Sequence, residues 1–262
     1  MKKLLGLMAV LLIVAAVPMW AGNDRDLVNP SDPVVTNPAD PNAPTWQGPE
    51  AVLYDNGPLV THPGGGAGGA DASALQTGLG MGTYGFGHAL SSGYRVADDF
   101  SFSDTEWDIQ TITFFAYQTG SGTTSTINHV NLQIWNGQPG GGGSVIFGDT
   151  STNRLGSSSW SNIYRVLDTG LTDTQRPIMA DVVTVGTNLM AGTYWLDWQT
   201  GGSGASGPWA PPISMLGVTT TGNAIQFDGA SWTALVDVGT QGLPFVIEGV
   251  VVPVELQSFD IE

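Results

Sequence analysis

The stretch "DIQTITFFAYQ", residues 108–118, decides the fold. At period two, Ile112, Phe114 and Ala116 fall on one face, and the segment is rich in β-branched and aromatic residues. That is the pattern of a β-strand with a buried face. Outward from it the pattern repeats. "INHVNLQIWN" (127–136) alternates Val130, Leu132 and Ile134 with Asn131, Gln133 and Trp135, and "GTYWLDWQT" (192–200) alternates Tyr194, Leu196 and Trp198 with Trp195 and Asp197. Further strand candidates lie at 51–55, 94–102, 144–148, 162–168, 180–185, 223–229, 231–236 and 244–251, separated by Gly, Ser, Thr, Asn and Asp clusters. No stretch of ten or more residues carries apolar residues at helical spacing. Many short strands with frequent turn signals predict an all-β chain, a β-sandwich of jelly-roll-like, antiparallel sheets with Gly-rich loops. No repeat of 20–50 residues is evident, which disfavours a propeller or β-helix.

The ends have different compositions. Lys2 and Lys3 precede an apolar run from Leu4 to Val17, and a small residue, Ala21, follows Pro18. This is the layout of a secretory signal peptide over residues 1–21. The run is shorter than the ~20 residues that cross a bilayer, so no membrane span is expected after cleavage. Residues 22–50 contain prolines at 30, 33, 38, 41, 44 and 49 among Asn and Asp. Proline lacks a donor and locks φ, so the segment is expected to be an extended linker. The folded domain is placed at 51–252, with a tail at 253–262.

Beyond residue 21 there are no lysines, five arginines and all 23 acids, for a formal charge of 5 − 23 = −18. Such a surface offers no counterion-release term, so nucleic acid is excluded as a partner. Without cysteine there are no thiolate nucleophiles, Cys-ligated zinc or iron–sulfur clusters. "NGQPGGGG" (136–143) contains the glycines of a phosphate loop but is followed by strand-like "SVIFGD", with no lysine to reach a phosphate. It reads as an inter-strand loop.

"VADDFSF", "WDIQTITFFAYQTGS", "VNLQIWNGQPGGGGSVIFGD", "NIYRVLDTGL", "AGTYWLDWQT" and "GPWAPP" together resemble a recurrent β-sandwich module of exported proteins from environmental bacteria. The resemblance covers roughly residues 94–250. It implies secretion or display on the cell surface and no particular reaction. "PVELQSF" (253–259) is similar to the junction that often precedes a C-terminal sorting domain.

Three chemistries are open. Calcium takes carboxylate and carbonyl oxygens, and "ADDFSFSDTEWD" (97–108) supplies Asp98, Asp99, Asp104, Glu106 and Asp108. Asp98 and Asp99 point to opposite faces of a strand. A turn between strands would bring Asp99, Asp104 and Glu106 to one ion; the alternative is a solvated acidic loop. Glycoside hydrolysis needs two carboxyls. Asp197, beside Trp195 and Trp198, and Glu248, in "FVIEGV", are candidates for one half of such a pair. If Leu196 points inward, Asp197 and Trp195 share an outer, aromatic–acid face. Finally, Trp209, between prolines in "SGPWAPPIS", is expected in a loop, either as an exposed platform for a sugar ring or folded over one end of the sandwich. "GGSGASG" (201–207) lacks the G-x-S-x-G order, and His62, His88 and His129 lack zinc spacing.

The sequence thus leads to a secreted, non-catalytic β-sandwich that binds extracellular carbohydrate or matrix, with Trp209, Trp195 and Asp197 at the ligand and calcium as a loop clamp. The alternatives are a self-assembling surface or matrix protein, whose partners are copies of itself, and a glycan-active hydrolase.

Overall fold

The structure is a computed structural model that describes residues 24–49 and 51–252. The segments read as signal peptide and tail lie outside the described residues. The strands are β1 (Arg25–Leu27), β2 (Val52–Asp55), β3 (Asp71–Leu75), β4 (Thr83–Gly87), β5 (Arg95–Ala116), β6 (Ile127–Trp135), β7 (Val145–Asp149) and β8 (Leu155–Leu167). They continue with β9 (Pro177–Gly202), β10 (Trp209–Ala210), β11 (Ile225–Phe227), β12 (Trp232–Ala234), β13 (Val236–Asp237), β14 (Gly239–Thr240) and β15 (Phe245–Val251). The helical pieces among the described residues are three short 3₁₀ turns, so the chain is all-β. None is long and apolar enough to cross a membrane.

Two long strands organise the fold. β5 has 22 residues and β9 has 26, and they pair antiparallel along most of their length. The first part of β5 pairs with β11, and the last part of β9 pairs with β6. Their other parts pair with β15 and β8. β5 and β9 therefore run through two sheet halves, β12-β11-β5-β9-β6-β7 and β2-β15-β5-β9-β8-β3. The contact of β3 with β8 is parallel, a departure from the antiparallel expectation. A three-stranded sheet, β1-β4-β10, completes the fold.

The halves bend towards each other where β5 and β9 lose register. The ladder is interrupted between Phe102 and Glu106 and again between Ile109 and Thr111, and Gly186 has φ +71°. Bulges of this kind bend a strand and increase its twist. The bend brings Phe114 of one half and Trp198 of the other to a ring-centroid distance of 4.4 Å. Ile112, Phe114, Val183, Leu132, Ile134, Leu196 and Trp198 share this central core. The inward face read from "DIQTITFFAYQ" lies in this core, and Thr113, Phe115 and Tyr117 of its other face are buried as well.

The acidic segment is not a turn between two strands; it is the corner of β5. Phe102 stacks on Trp107 at 3.8 Å, and both rings lie near Tyr194 or Phe100. These rings hold the corner while the acids occupy its rim. The loop 136–144 is the expected inter-strand connection, between β6 and β7. Its glycines have a steric role: Gly140 has φ +73°, and a side chain at Gly143 would run into the Gly137 carbonyl.

The largest difference from expectation lies at residues 24–49. The segment is extended, as its prolines require, but it is strapped across the protein. β1 pairs with β4. The carboxylate of Asp26 pairs with Arg176 at 2.8 Å and accepts from the hydroxyls of Tyr117 and Thr119. Arg176 is 2% exposed and lies over the Tyr84 ring. Further along, the Thr174 N–H donates to the Val35 carbonyl, and the Asp40 N–H donates to the Thr123 hydroxyl. The Trp46 N–H donates to the Trp160 carbonyl, and the Trp160 N–H donates to the Pro44 carbonyl. Proline spacing reveals that such a segment is extended. It does not reveal whether side chains between the prolines find partners on the domain.

Candidate functional site

Each half of the fold has an outer face, and the two are covered differently. On the half containing β11 and β6, the outer face carries Ala97, Trp195 and Ile225, packed against Trp135 and Trp232. Asp197 lies on the same face as Trp195, as the alternation predicted, but this face is sealed. Trp195 is 6% exposed and Asp197 1%. The Asp197 Oδ1 is 3.1 Å from Arg95 Nε, an ion pair not aligned as a hydrogen bond, and Oδ2 accepts from Trp135 Nε1 at 3.2 Å. The Arg95 guanidinium stacks over Phe227 and Trp232. Burial pushes the Asp197 carboxyl up to about 7, opposed by Arg95 and the indole donor. The exposed aromatic–acid surface expected here is thus a small closed core, because the β11–β12 hairpin and the β6–β7 loop curl over it; Gly140 of that loop lies against Trp232.

Of the two alternatives for Trp209, the structure agrees with the folded-over one, but on a short strand instead of a loop. It enters β10, pairs with β4, and exchanges both backbone hydrogen bonds with Tyr117. Its half-buried indole packs against the second core cluster and donates to the Ser206 hydroxyl. Once its backbone is paired on both sides, the side chain is directed onto the domain and is not a free platform.

The proposed calcium ligands do not converge. Asp104 is exposed and accepts from Trp107 Nε1 at 2.8 Å, while Glu106 accepts from the Asn188 amide. Asp99 lies opposite Trp195 in the β5–β9 ladder. Its neighbour Asp98 points to the inner side and accepts from the Leu243 N–H, the Asn56 amide and the Asp99 N–H. Among the described residues no three His, Cys, Asp or Glu side chains are grouped as a metal would require. A continuous strand keeps alternate side chains on opposite faces, whereas the expected turn would have gathered them.

The outer face of the other half holds the open site. Thr111, Thr113 and Phe115 alternate with the core residues of β5. At the Phe115 end this face is apolar, with Tyr117, Ile163, Ala180 and Val246, and Trp46 from the strap packs against it. Trp46 meets Phe115 edge-on at 5.6 Å. At the other end the face turns polar, and the strap bridges it without filling the space. The result is a cleft of about 420 Å³, lined by Thr45, Trp46 and Gln47 of the strap and by Gln110, Thr111, Ser159 and Glu248 of the sheet. The Thr111 hydroxyl donates to the Glu248 carboxylate at 3.2 Å. Gln110 is exposed, and opposite β15 it is the extra residue of a bulge between Ile109 and Thr111.

Chemically, the cleft offers one indole, two primary amides, several hydroxyls and one carboxylate. This suits a neutral polar ligand with an apolar face. Among the described lining residues Glu248 is the sole acid. Glu248 was visible in the sequence as an acid interrupting an apolar strand. Trp46 was missed. Its signal was a bulky aromatic isolated in a Pro-rich segment, "NAPTWQGPE". No protein-family model matches this chain, no curated protein matches it, and no solved structure matches it.

Proposed function

We propose that this protein is an exported, non-catalytic binding module of a bacterium that holds an extracellular saccharide in the cleft between residues 45–48 and the β5–β15 face. One observation carries this reading: an indole, amides and hydroxyls converge on a single cleft of about 420 Å³, within the size range of small-ligand sites. Sugar rings present apolar C–H faces and a rim of hydroxyls. The first suit an aromatic surface, the second Gln47, Gln110, Thr111 and Ser159. Export rests on the leader-like residues 1–21. That Glu248 is the single carboxylate among the described lining residues supports binding over hydrolysis.

The test is a titration of purified residues 22–262 with a panel of neutral oligosaccharides, followed by intrinsic tryptophan fluorescence. Binding that is lost in Trp46→Ala and kept in Trp209→Ala supports the reading. Binding that follows Trp209, or none across the panel, overturns it.

A second reading has a specific observation in its favour. β7 is an edge strand with Val145 and Ile146 exposed, an arrangement open to strand addition by another copy. Sedimentation that changes with protein concentration, and is abolished by Ile146→Lys, would favour self-assembly.

A further inference from the structure

Trp46 lines two spaces. One is the polar cleft, and the other is a groove of about 180 Å³ lined by Trp46 and Pro49 of the strap and by Leu59, Phe115, Ile163 and Val246 of the domain. These four domain residues belong to the second core cluster, so the floor of the groove is hydrocarbon. Val60 packs against the same cluster and also lines the groove. Asp55 stands at its border, with a carboxylate oxygen accepting from the Gly57 N–H at 3.0 Å.

The groove and the cleft lie on the same face of the sheet. On β15, Glu248 lines the cleft and Val246 the groove, two residues and so about 7 Å apart. On β5, Thr111 lines the cleft and Phe115 the groove, about 13 Å apart along the strand. A polar space and an apolar space that share the Trp46 wall suit one ligand with both characters. Cavities of about 150 Å³ lined by Leu, Ile and Phe accept benzene, so the groove has the size for one phenyl ring or a chain of about four carbons.

Resting on the saccharide reading above, we propose that the ligand is an amphipathic glycoside, whose sugar occupies the cleft and whose short aryl or alkyl substituent occupies the groove. Gln47, Gln110 and Thr111 take hydroxyls of the sugar. Phe115, Ile163 and Val246 take the hydrocarbon, and Trp46 touches both parts. A bare oligosaccharide fills only the polar half of this site.

The experiment is calorimetric titration of purified residues 22–262 with the methyl, butyl and phenyl β-glycosides of cellobiose and of lactose, and with phenol alone. The methyl glycoside keeps the sugar and lacks the apolar group, so it is the matched control. The butyl and phenyl glycosides are expected to bind roughly tenfold more tightly than the methyl one, as burial of the added carbons supplies. Their heat-capacity change on binding should be more negative, the mark of apolar burial. Val60→Ser, at a half-buried position, should reduce this preference and leave the methyl glycoside unchanged, while Trp46→Ala should weaken all three. Melting checks that both variants keep the fold, and the heat-capacity difference between glycosides is read on the unaltered protein.

Equal affinity and equal heat-capacity change for the three glycosides, with binding lost in Trp46→Ala, would overturn the apolar subsite and leave the saccharide reading standing. A preference for the phenyl glycoside that is unchanged in folded Val60→Ser would overturn the groove as its seat. Phenol binding as tightly as the phenyl glycoside would show that the sugar contributes nothing, which overturns both the joined site and the saccharide reading. No binding by any of these compounds would overturn both as well.

Discussion

The two outer faces of this sandwich start from similar material and end differently. Each is the outer side of a β5–β9 half, and at each a tryptophan lies near an acid. On one face Trp195 and Asp197 are sealed by the Arg95 ion pair, the β11–β12 hairpin and Trp135. On the other, Trp46 and Glu248 border an open cleft. The difference lies in what covers each face. Hairpins continuous with the sheet fit closely over the first. The second is crossed by a proline-rich strap that is anchored at intervals and spans the gaps between its anchors. Two further clefts, at Pro33 and at Pro38, lie along the strap as the Trp46 cleft does. An acid beside an aromatic in the sequence is therefore not in itself a site. The covering decides whether the pair becomes core or cleft.

The comparison breaks most readily by removing the strap. Deleting residues 24–49 exposes Phe115, Ile163 and Val246 and takes Asp26 from the buried Arg176. Several buried apolar side chains at roughly 1.5–3 kcal/mol each, plus a broken ion pair, should lower the melting temperature by about 10 °C or more. A change of only a few degrees would mean that the strap is a passive linker. Asp26→Ala alone isolates the anchor. Removing one partner of a buried pair costs about 3–5 kcal/mol, and Asp173, 3.6 Å from Arg176, places the loss near the lower figure. Chemical denaturation checks this, and a loss below about 1 kcal/mol would show that Asp173 suffices.

Acidity sharpens the contrast between core and rim. Burial pushes Asp98 and Asp181 up to about 7, each inside the fold, and Asp181 Oδ2 has no hydrogen-bond partner. Between about pH 4 and 7 the folded state holds protons on these groups that the unfolded state has released. Stability is therefore fully present below about pH 4 for these groups and falls as pH rises through 7. Asp40, Asp149 and Asp228, on surface turns, act in the opposite direction. Hydrogen bonds from nearby turn residues hold their carboxyls below the ordinary value, so their contribution is lost only as pH falls below about 4. The melting temperature should be higher at pH 5 than at pH 8, and Asp181→Asn should flatten that slope. A melting temperature that rises from pH 5 to pH 8 would contradict the assignment.

The smallest effect is expected from calcium. With Asp104 and Glu106 held by Trp107 and Asn188 at a strand corner, melts in chelator and in millimolar calcium should agree within about 1 °C. A rise of several degrees, abolished by Asp104→Asn with Glu106→Gln, would restore a cation to the corner.

The legible parts of the fold were those fixed by period. Ile112, Phe114, Leu132, Ile134, Leu196 and Trp198 alternate inward, and all are core. Joining "YRVADDFSF" to "DIQTITFFAYQ" across the acids was not legible. The aromatic stacking that carries β5 through the corner involves Tyr194, more than 80 residues away. The seal over Asp197 depends on Arg95 and Trp135, which are also remote from it in sequence. Glu248 stood out because a charge in an apolar strand is costly unless the strand is half exposed. Trp46 did not stand out, because the prolines around it pointed to a free segment. The cleft needs both, so half of it was readable from the chain alone.

The central claim is that the strap-bridged face, and not the sealed one, receives the ligand. Hydrogen exchange with and without a saturating neutral oligosaccharide tests this most directly. The account predicts slower exchange in peptides covering residues 44–51, 108–113 and 246–250, with no change over 193–199 or 206–212. Protection centred on Trp195 or Trp209, with the peptides around Trp46 and Glu248 unchanged, would contradict it.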